Sequence, residues 1–247
     1  MTIHHWVFSF CCIYLFVFLH CIFYPIMALR VASLNINGGR SAQKRFLVSE
    51  LFKVKKLDAL FLQETHSDRL NETDWGVWWG GQHVLSHGSN LSAGVAVLFS
   101  PSLNMTILSS TESVAGRLLT IRVEIHSIIF NLINVYAHNQ GTERVTLFKL
   151  LKNMLGSVGQ GECIIMGGDW NCCTDVNLDR TGQELHPQSS SFLGQTVKEA
   201  DLVDAWRRQH PSARQYTWIK ITDGRIHGAR LDRFYISAQI GRAVQQE

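Results

Sequence analysis

A carboxylate and a carboxamide stand two residues apart in the segment IIMGGDWNCC, which runs from Ile164 to Cys173. Asp169 and Asn171 follow an apolar stretch and two glycines, a pattern typical of a buried strand that ends in a turn. Side chains two positions apart at a strand end can point to the same side. The spacing therefore predicts that both side chains face one site, although an aspartate in this place could also simply cap a turn.

Other apolar segments end in the same kinds of side chain, at Asn35, Glu64, Tyr136 and Asp232. Carboxylate, carboxamide and phenol groups suit a hard cation such as Mg²⁺, which takes a few protein oxygens and completes its shell with water and substrate phosphate. In-line attack of water on a phosphodiester needs such a metal, an acceptor for the water proton and donors for the developing charge. The pattern therefore indicates metal-assisted phosphodiester hydrolysis.

Each of these residues, taken alone, has an ordinary structural interpretation. Asn35 could belong to a turn before Gly38, and a lone Glu64 at a strand end would usually be solvated. Asp232, between two arginines, could form a surface ion pair. Only the recurrence of such groups at several strand ends favours a common site.

Composition bounds the class of protein. The chain has 247 residues, of which 46% are hydrophobic, so it can bury one substantial core. A net charge of +3 permits a polyanionic partner without arguing for one, because nucleic-acid binders are recognised by clustered charge. The six cysteines include no C-x-x-C pair, which supports neither a zinc site nor a disulfide framework and favours a reducing compartment.

The first 26 residues differ from the rest of the chain. The apolar run from Trp6 to Tyr24 is just long enough to cross a bilayer, and a signal peptide fits it less well because MTIHH lacks Lys and Arg. Two interpretations stay open. Residues 6–24 are a membrane anchor that leaves the domain in the cytosol, or residues 1–26 are a spurious extension of a cytoplasmic or nuclear protein. The domain itself is placed at residues 27–237.

From residue 27 onward, short apolar strands alternate with helical patterns. A helix is predicted from Ser41, and further helices near residues 142–155 and 190–202. In the first of these, apolar residues recur at helical spacing at Phe46, Leu47, Leu51, Val54 and Leu57. Strands outnumber helices and several helices connect strands, which predicts an α+β sandwich of two sheets flanked by helices.

Five motifs then carry a family resemblance: SLNING, LQET, NVYAHN, GGDWN and RLDRFYIS. Their order and rough separations resemble the endonuclease/exonuclease/phosphatase superfamily. The details NINGGR, LDRTG, QYTW and RLDR most resemble the endonuclease domain of LINE-type (non-LTR) retrotransposons. The resemblance covers about residues 29–237 and implies a four-layered α/β sandwich of two mixed sheets. It also implies a monomeric, Mg²⁺-dependent endonuclease domain that acts on DNA.

The resemblance assigns a metal-binding and water-activating role to three residues. Glu64 would bind Mg²⁺, or Mn²⁺ in its place, with Asn35 beside it. Asp169 would orient or deprotonate the attacking water. These roles follow from the positions of the three residues within the matching motifs.

The other assigned roles concern the phosphate and the DNA backbone. Asn171 would hold the scissile phosphate and Tyr136 would donate a hydrogen bond toward it. Asn139 and Thr217 would contact the DNA backbone. Asp232 would orient a catalytic histidine.

The sequence departs from the family pattern in three places. Trp170 stands where phenylalanine is more usual, and His138 where proline is common. The family ends in a Ser-Asp-His loop and one more strand, and neither follows Asp232 here. The resemblance thus implies that the last strand is missing, that a sheet edge lies open, that residues 238–247 are a tail outside the family, and that activity is weakened.

Three other functions stay open at this point. An abasic-site repair endonuclease would use the same motifs, and a phosphodiesterase acting on lipid head groups would suit an apolar N-terminus. The non-enzymatic alternative is a degenerate fragment that does not cut DNA. A membrane partner is expected only if residues 6–24 are a real anchor.

Overall fold

The computed structural model describes residues 12–19, 27–89, 91–241 and 244–246, and in these residues two six-stranded sheets pack face to face. The first sheet contains β1 (Cys12–Leu19), β2 (Met27–Asn35), β3 (Ala59–Gln63), β4 (His83–Ser86), β5 (Val95–Phe99) and β14 (Val244–Gln246). The second contains β6 (Met105–Val114), β7 (Leu118–Ile125), β8 (Ile128–Tyr136), β9 (Cys163–Asp169), β10 (Leu202–Asp204) and β13 (Asp232–Ser237). A separate hairpin is formed by β11 (Trp218–Thr222) and β12 (Arg225–Ala229).

Both sheets are mixed. The strand order is β14-β1-β2-β3-β5-β4 in the first sheet and β10-β13-β9-β8-β7-β6 in the second. The pairs β2–β3 and β8–β9 are parallel, and each is flanked by antiparallel neighbours. Because the carboxyl ends of parallel neighbours meet at one edge, each sheet presents two strand ends at the same place.

Helices cover the outer faces of the sandwich. The helices are α1 (Ala42–Val54), α2 (Glu72–Trp79), α3 (Gly141–Leu155), α4 (Val176–Asp179), α5 (Pro187–Glu199), α6 (Ala205–Gln209) and α7 (Ala238–Gly241). Buried residues of α1 and α2 pack on the first sheet, and those of α3 and α5 on the second. The four layers confirm the α+β sandwich predicted from the sequence.

The alternation of apolar and polar residues in β7 shows which face of the second sheet is buried in the core between the sheets. Leu119, Ile121 and Val123 are buried against the first sheet, while Arg122 and Glu124 point the other way. A strand places successive side chains on opposite faces, so this pattern fixes which face of the second sheet enters the core.

The prediction for the first helix is confirmed in position but not in its buried face. α1 buries Val48 and Phe52, while Phe46 and Val54 are 62% and 73% exposed. Packing against the first sheet decides which row of apolar side chains of α1 is buried. Helical periodicity alone does not distinguish that row from the apolar row next to it. The sequence interpretation also missed α2, a short helix whose Trp75 is fully buried.

Two consecutive glycines allow β9 to pass between its neighbours. A Cβ on Gly167 would lie 2.2 Å from the ring of Phe234, and one on Gly168 would lie 1.9 Å from the carbonyl oxygen of Val135. Gly168 also has a φ of +138°, a conformation that other residues rarely adopt. The glycines therefore let β8 and β13 close on both sides of β9, directly before Asp169.

The edge of β2 is paired. All of β1 pairs antiparallel with β2, from Cys12 opposite Leu34 to Leu19 opposite Met27, and β14 pairs with the far side of β1. The apolar N-terminal segment thus supplies a strand that covers this edge of the sheet. The rest of the run at residues 6–24 lies outside the described residues. In the part of the chain that is described, no helix is long and apolar enough to cross a membrane.

Leu15→Pro is expected to lower the midpoint of urea unfolding and to increase aggregation. Leu15 lies in the middle of β1, with partners on both sides, and proline removes the backbone N–H that a central strand needs. Leu15→Ala keeps that N–H and is the matched control. Equal urea midpoints and equal light scattering for the two variants would show that β1 does not support the sheet.

Candidate active site at the strand ends

Five of the side chains singled out in the sequence meet at one end of the sandwich. Asn35 ends β2 and Glu64 directly follows β3, both in the first sheet. Tyr136 ends β8, Asp169 ends β9 and Asp232 begins β13, all in the second sheet. The strand register places Asp169 between Tyr136 and Asp232. The structure therefore brings these five side chains together, and the roles assigned to them stay predictions.

Hydrogen bonds connect the cluster across the two sheets. Asn35 Nδ2 donates to Glu64 Oε1 at 2.8 Å and to Asp169 Oδ2 at 3.3 Å. Tyr136 Oη donates to the same Glu64 Oε1, also at 2.8 Å. One carboxylate oxygen of Glu64 thus accepts a bond from each sheet, so the site exists only where the two sheets meet.

The turn after β9 fixes Asp169 and Asn171 relative to each other. Asn171 adopts a left-handed φ of +49°, which asparagine tolerates better than most residues. Its backbone N–H donates to Asp169 Oδ1 at 3.0 Å, and its side-chain Nδ2 donates to the carbonyl of Ala137 at 2.8 Å. One N–H of the Asn171 carboxamide remains to donate to a ligand.

Thr217 and Asn139, the two residues assigned to the DNA backbone, differ in their surroundings. Thr217 is buried, and its hydroxyl oxygen accepts the backbone N–H groups of Leu231 and Asp232 at 2.9 and 3.0 Å. This threonine therefore fixes the start of β13 and with it the Asp232 side chain. Asn139 is exposed in the loop before α3, and its carbonyl accepts a bond from Arg144. Their DNA contacts stay predictions.

Burial and neighbouring carboxylates raise the pKa of Asp169 and Asp232. Burial is the largest cause of the raised pKa of Asp169, and the nearby Glu64 charge adds to it. The pKa of Asp232 is raised well above its usual value by burial and then by the charge of Asp169. Burial and the Glu64 carboxylate also raise the pKa of the Tyr136 phenol, so it stays protonated and able to donate at neutral pH.

The donor set fits a hard divalent cation. The candidate ligands are the Glu64 carboxylate and the Asn35 carboxamide beside it, both oxygen donors, and the charges of Asp169 and Asp232 act on the same site. No three His, Cys, Asp or Glu side chains among the described residues converge closely enough to hold one ion. A divalent cation would relieve the repulsion between buried carboxylates, and oxygen ligands are those that Mg²⁺ prefers.

The two arginines of the RLDR motif hold the loops around the site, a role that the sequence interpretation missed. Arg233 is fully buried, and its guanidinium donates to the Cys172 carbonyl and to Thr174 Oγ1, both in the turn after Asp169. Arg230 forms a buried ion pair with Asp179 at 2.8 Å and reaches a second carboxylate, Asp204. The sequence signal for this role was the position of the two arginines, one just before and one inside the apolar strand β13, where a charged side chain needs a partner.

A further cation lies beside Tyr136. The guanidinium carbon of Arg117 is 4.8 Å from the centroid of the Tyr136 ring, and its Nη1 lies 3.4 Å from the Tyr136 carbonyl oxygen. Stacking of a guanidinium on an aromatic face is favourable and restricts the ring. Arg117 therefore helps to fix the orientation of the phenol.

Residues 32–246 match the model of the Endonuclease/Exonuclease/phosphatase family. This range includes all eight of the residues singled out above. The chain belongs to this family. The two mixed sheets flanked by helices are also the fold of solved AP endonucleases.

A curated relative links the chain to a transposon. The chain is 36% identical over 219 residues to the Transposon TX1 uncharacterized 149 kDa protein of Xenopus laevis. The aligned region is 89% of this chain but 17% of that protein, so the chain spans about a sixth of the length of this relative.

Solved structures of the family share the fold at low sequence identity. An AP endonuclease from Archaeoglobus fulgidus has a TM-score of 0.67 and 21% identity, with 87% of this chain and 88% of that chain covered. The endonuclease domain of TRAS1, a telomere-specific non-LTR retrotransposon, has a TM-score of 0.61 and 15% identity, with 85% and 86% covered. At these identities the likeness shows the fold.

Thr217→Val is expected to lower the free energy of unfolding by about 1–3 kcal/mol, because it leaves two buried N–H groups at the start of β13 without their acceptor. Thr217→Ser keeps the oxygen and should retain most of the stability. Urea unfolding of the two variants measures the difference. Equal stability would mean that the Thr217 hydroxyl does not hold the Asp232 backbone.

Proposed function

We propose that this chain is a Mg²⁺-dependent DNA endonuclease domain of retrotransposon origin. The observation that carries the proposal is the convergence of Asn35 and Glu64 from one sheet with Tyr136, Asp169 and Asp232 from the other. The transposon relative supports the origin. We propose that the domain acts on DNA as a monomer, in the nucleus or the cytoplasm.

Each side chain has a defined part in hydrolysis of the phosphodiester. Glu64 and Asn35 would hold Mg²⁺, which supplies charge to the phosphate oxygens and lowers the pKa of bound water. Asp169, with its raised pKa, would accept the proton of the attacking water. The protonated Tyr136 phenol and the free N–H of Asn171 would donate to the phosphate as negative charge builds there.

The hairpin of β11 and β12 supports DNA as the partner. It leaves the site at Thr217 and returns to it at Asp232. Cross-strand pairs place Lys220 opposite His227, and Thr222 opposite Arg225, and these residues are exposed. Cationic side chains at this place can bind phosphates on the strands beside the cleaved bond.

An abasic-site endonuclease is the second candidate. Its support is the likeness to the AP endonuclease from Archaeoglobus fulgidus, which extends over 87% of this chain. The two candidates differ in substrate, because an abasic-site enzyme prefers duplex DNA that lacks one base. A supercoiled plasmid and an abasic oligonucleotide duplex, used side by side, separate them.

Nicking of a supercoiled plasmid is expected at high protein concentration with Mg²⁺, and EDTA should abolish it. Glu64→Gln removes a charged metal ligand and is expected to slow nicking by roughly a hundredfold or more. The matched control is Glu199→Gln, because Glu199 lies on the surface in an ion pair with Lys152. Cleavage that persists in EDTA, or that is equally fast in both variants, would contradict the proposed function.

Nicking by the full chain is expected to be slow. The resemblance implies a histidine held by Asp232, and no histidine among the described residues bonds to that carboxylate. One lost donor to the developing charge costs on the order of a hundred- to a thousandfold in rate. Appending a Ser-Asp-His loop and a following strand should therefore accelerate nicking by about a hundredfold. Equal rates for both chains, each abolished by Glu64→Ala, would show that another group supplies the donor.

A further inference from the structure

We infer that a buried pair of carboxamides, Gln63 and Asn134, positions the metal-binding end of the site by locking the two sheets together beneath it. This inference rests on the proposed function, since it concerns the geometry of the same site. Neither residue contacts the reacting atoms, so both are positioning residues.

The two side chains bond directly across the sandwich. Gln63 Nε2, in β3 of the first sheet, donates to Asn134 Oδ1, in β8 of the second sheet, at 2.7 Å. Gln63 also exchanges hydrogen bonds with the Ser33 hydroxyl at 3.1 and 3.3 Å. Asn134 Nδ2 donates to the carbonyls of Leu62 and Ala96, at 3.0 and 2.8 Å, both in the first sheet. Gln63 and Asn134 are completely buried.

Such a network differs from the rest of the interface between the sheets. The surrounding core consists of apolar side chains, including Phe61, Val97 and Leu132. Apolar contact is not directional, so it holds two sheets together without fixing how far one is shifted along the other. Hydrogen bonds between buried groups require a particular distance and angle, and leaving them unmade is costly. The carboxamides therefore select one relative position of the sheets.

The network lies directly below the site. Ser33 is two residues before Asn35 in β2, and Asn134 is two residues before Tyr136 in β8, so each pair shares one face of its strand. Gln63 immediately precedes Glu64. A shift of one sheet against the other would thus be passed on to the bonds that Glu64 accepts from Asn35 and Tyr136.

The backbone of Glu64 supplies a second, independent observation. Glu64 has a left-handed φ of +51°, an uncommon conformation for a residue other than glycine or asparagine. Strain of this kind persists when the surrounding structure imposes it, and it is concentrated at functional sites. Gln63, fixed by bonds to both Ser33 and Asn134, holds the chain on one side of Glu64. On the other side, Gly38 N–H donates to the Glu64 carbonyl at 2.6 Å.

The test compares the double variant Gln63→Met/Asn134→Leu with the control variant Asn131→Leu. Replacing both carboxamides by apolar groups of similar size removes the bond between the sheets without leaving either carboxamide unpaired. The Leu62 and Ala96 carbonyls and the Ser33 hydroxyl lose a partner, which lowers stability. Asn131 lies in the same strand and bonds to Glu162, away from the site. Three quantities are measured on the full chain: the midpoint of urea unfolding, Mn²⁺ affinity by electron paramagnetic resonance, and plasmid nicking as kcat and KM.

The double variant should stay folded, with a lower urea midpoint than Asn131→Leu, and bind Mn²⁺ about tenfold more weakly. Its kcat should fall roughly a hundredfold, with little change in KM for DNA, because misplacement by about 1 Å affects the reacting geometry more than the binding surface. Wild-type Mn²⁺ affinity and kcat in a folded double variant would overturn the inference. An activity loss that matches only the unfolded fraction would overturn it as well.

Ser33→Ala covers the case in which the double variant fails to fold. It removes one hydroxyl from the network and leaves both carboxamides, and a smaller loss of Mn²⁺ affinity and of kcat is expected. Unchanged values for a folded Ser33→Ala variant, alongside an unfolded double variant, would overturn the inference. A wild-type chain that neither binds Mn²⁺ nor nicks DNA would overturn the proposed function and this inference together. If the wild-type chain does both, the results for the variants test the positioning role of the carboxamides alone.

Discussion

The site depends on one carboxylate oxygen shared between two sheets. Glu64 Oε1 accepts a hydrogen bond from Asn35, its neighbour in the first sheet, and another from Tyr136 in the second sheet. Strand register places Asp169 between Tyr136 and Asp232 within the second sheet, and a longer bond of 3.3 Å from Asn35 also reaches it from the first sheet. The hydrogen bonds at Glu64 therefore join side chains of the two sheets into one site, and the geometry of that site depends on how the sheets pack.

Concentrating acidic groups at this point is unfavourable in the protein by itself. Burial and mutual repulsion raise the pKa of both Asp169 and Asp232, so ionising them costs free energy that the surrounding fold must supply. The buried guanidinium of Arg233 offsets part of this cost, because its positive charge lowers the pKa of both carboxyl groups. A bound cation would offset the rest of this cost, because it would reduce the repulsion between the carboxylates.

Much of the architecture was predictable because it depends on local pattern. The alternation in β7 identified the face that enters the core, and helical spacing identified α1, α3 and α5. The errors occurred where a neighbouring element decides. α1 buries Val48 and Phe52 because the sheet beneath it selects that stripe, and α2 is a short helix stabilised by the burial of Trp75. The edge of β2 is paired by β1, a strand that an apolar run does not distinguish from a membrane segment.

The sequence by itself determined which residue types stand at the strand ends, and hence the chemistry that Asn35, Glu64, Tyr136, Asp169 and Asp232 can perform together. Period-2 alternation and the Gly-Gly turn before Asp169 carry that information locally. Three contacts were decided only by the tertiary structure. The Thr217 hydroxyl accepts hydrogen bonds from the backbone of β13, and the Arg233 guanidinium donates to the turn after Asp169. Gln63 bonds to Asn134 across the core. These contacts join residues far apart in the chain, and their partners are set by how two sheets pack, which no local pattern encodes.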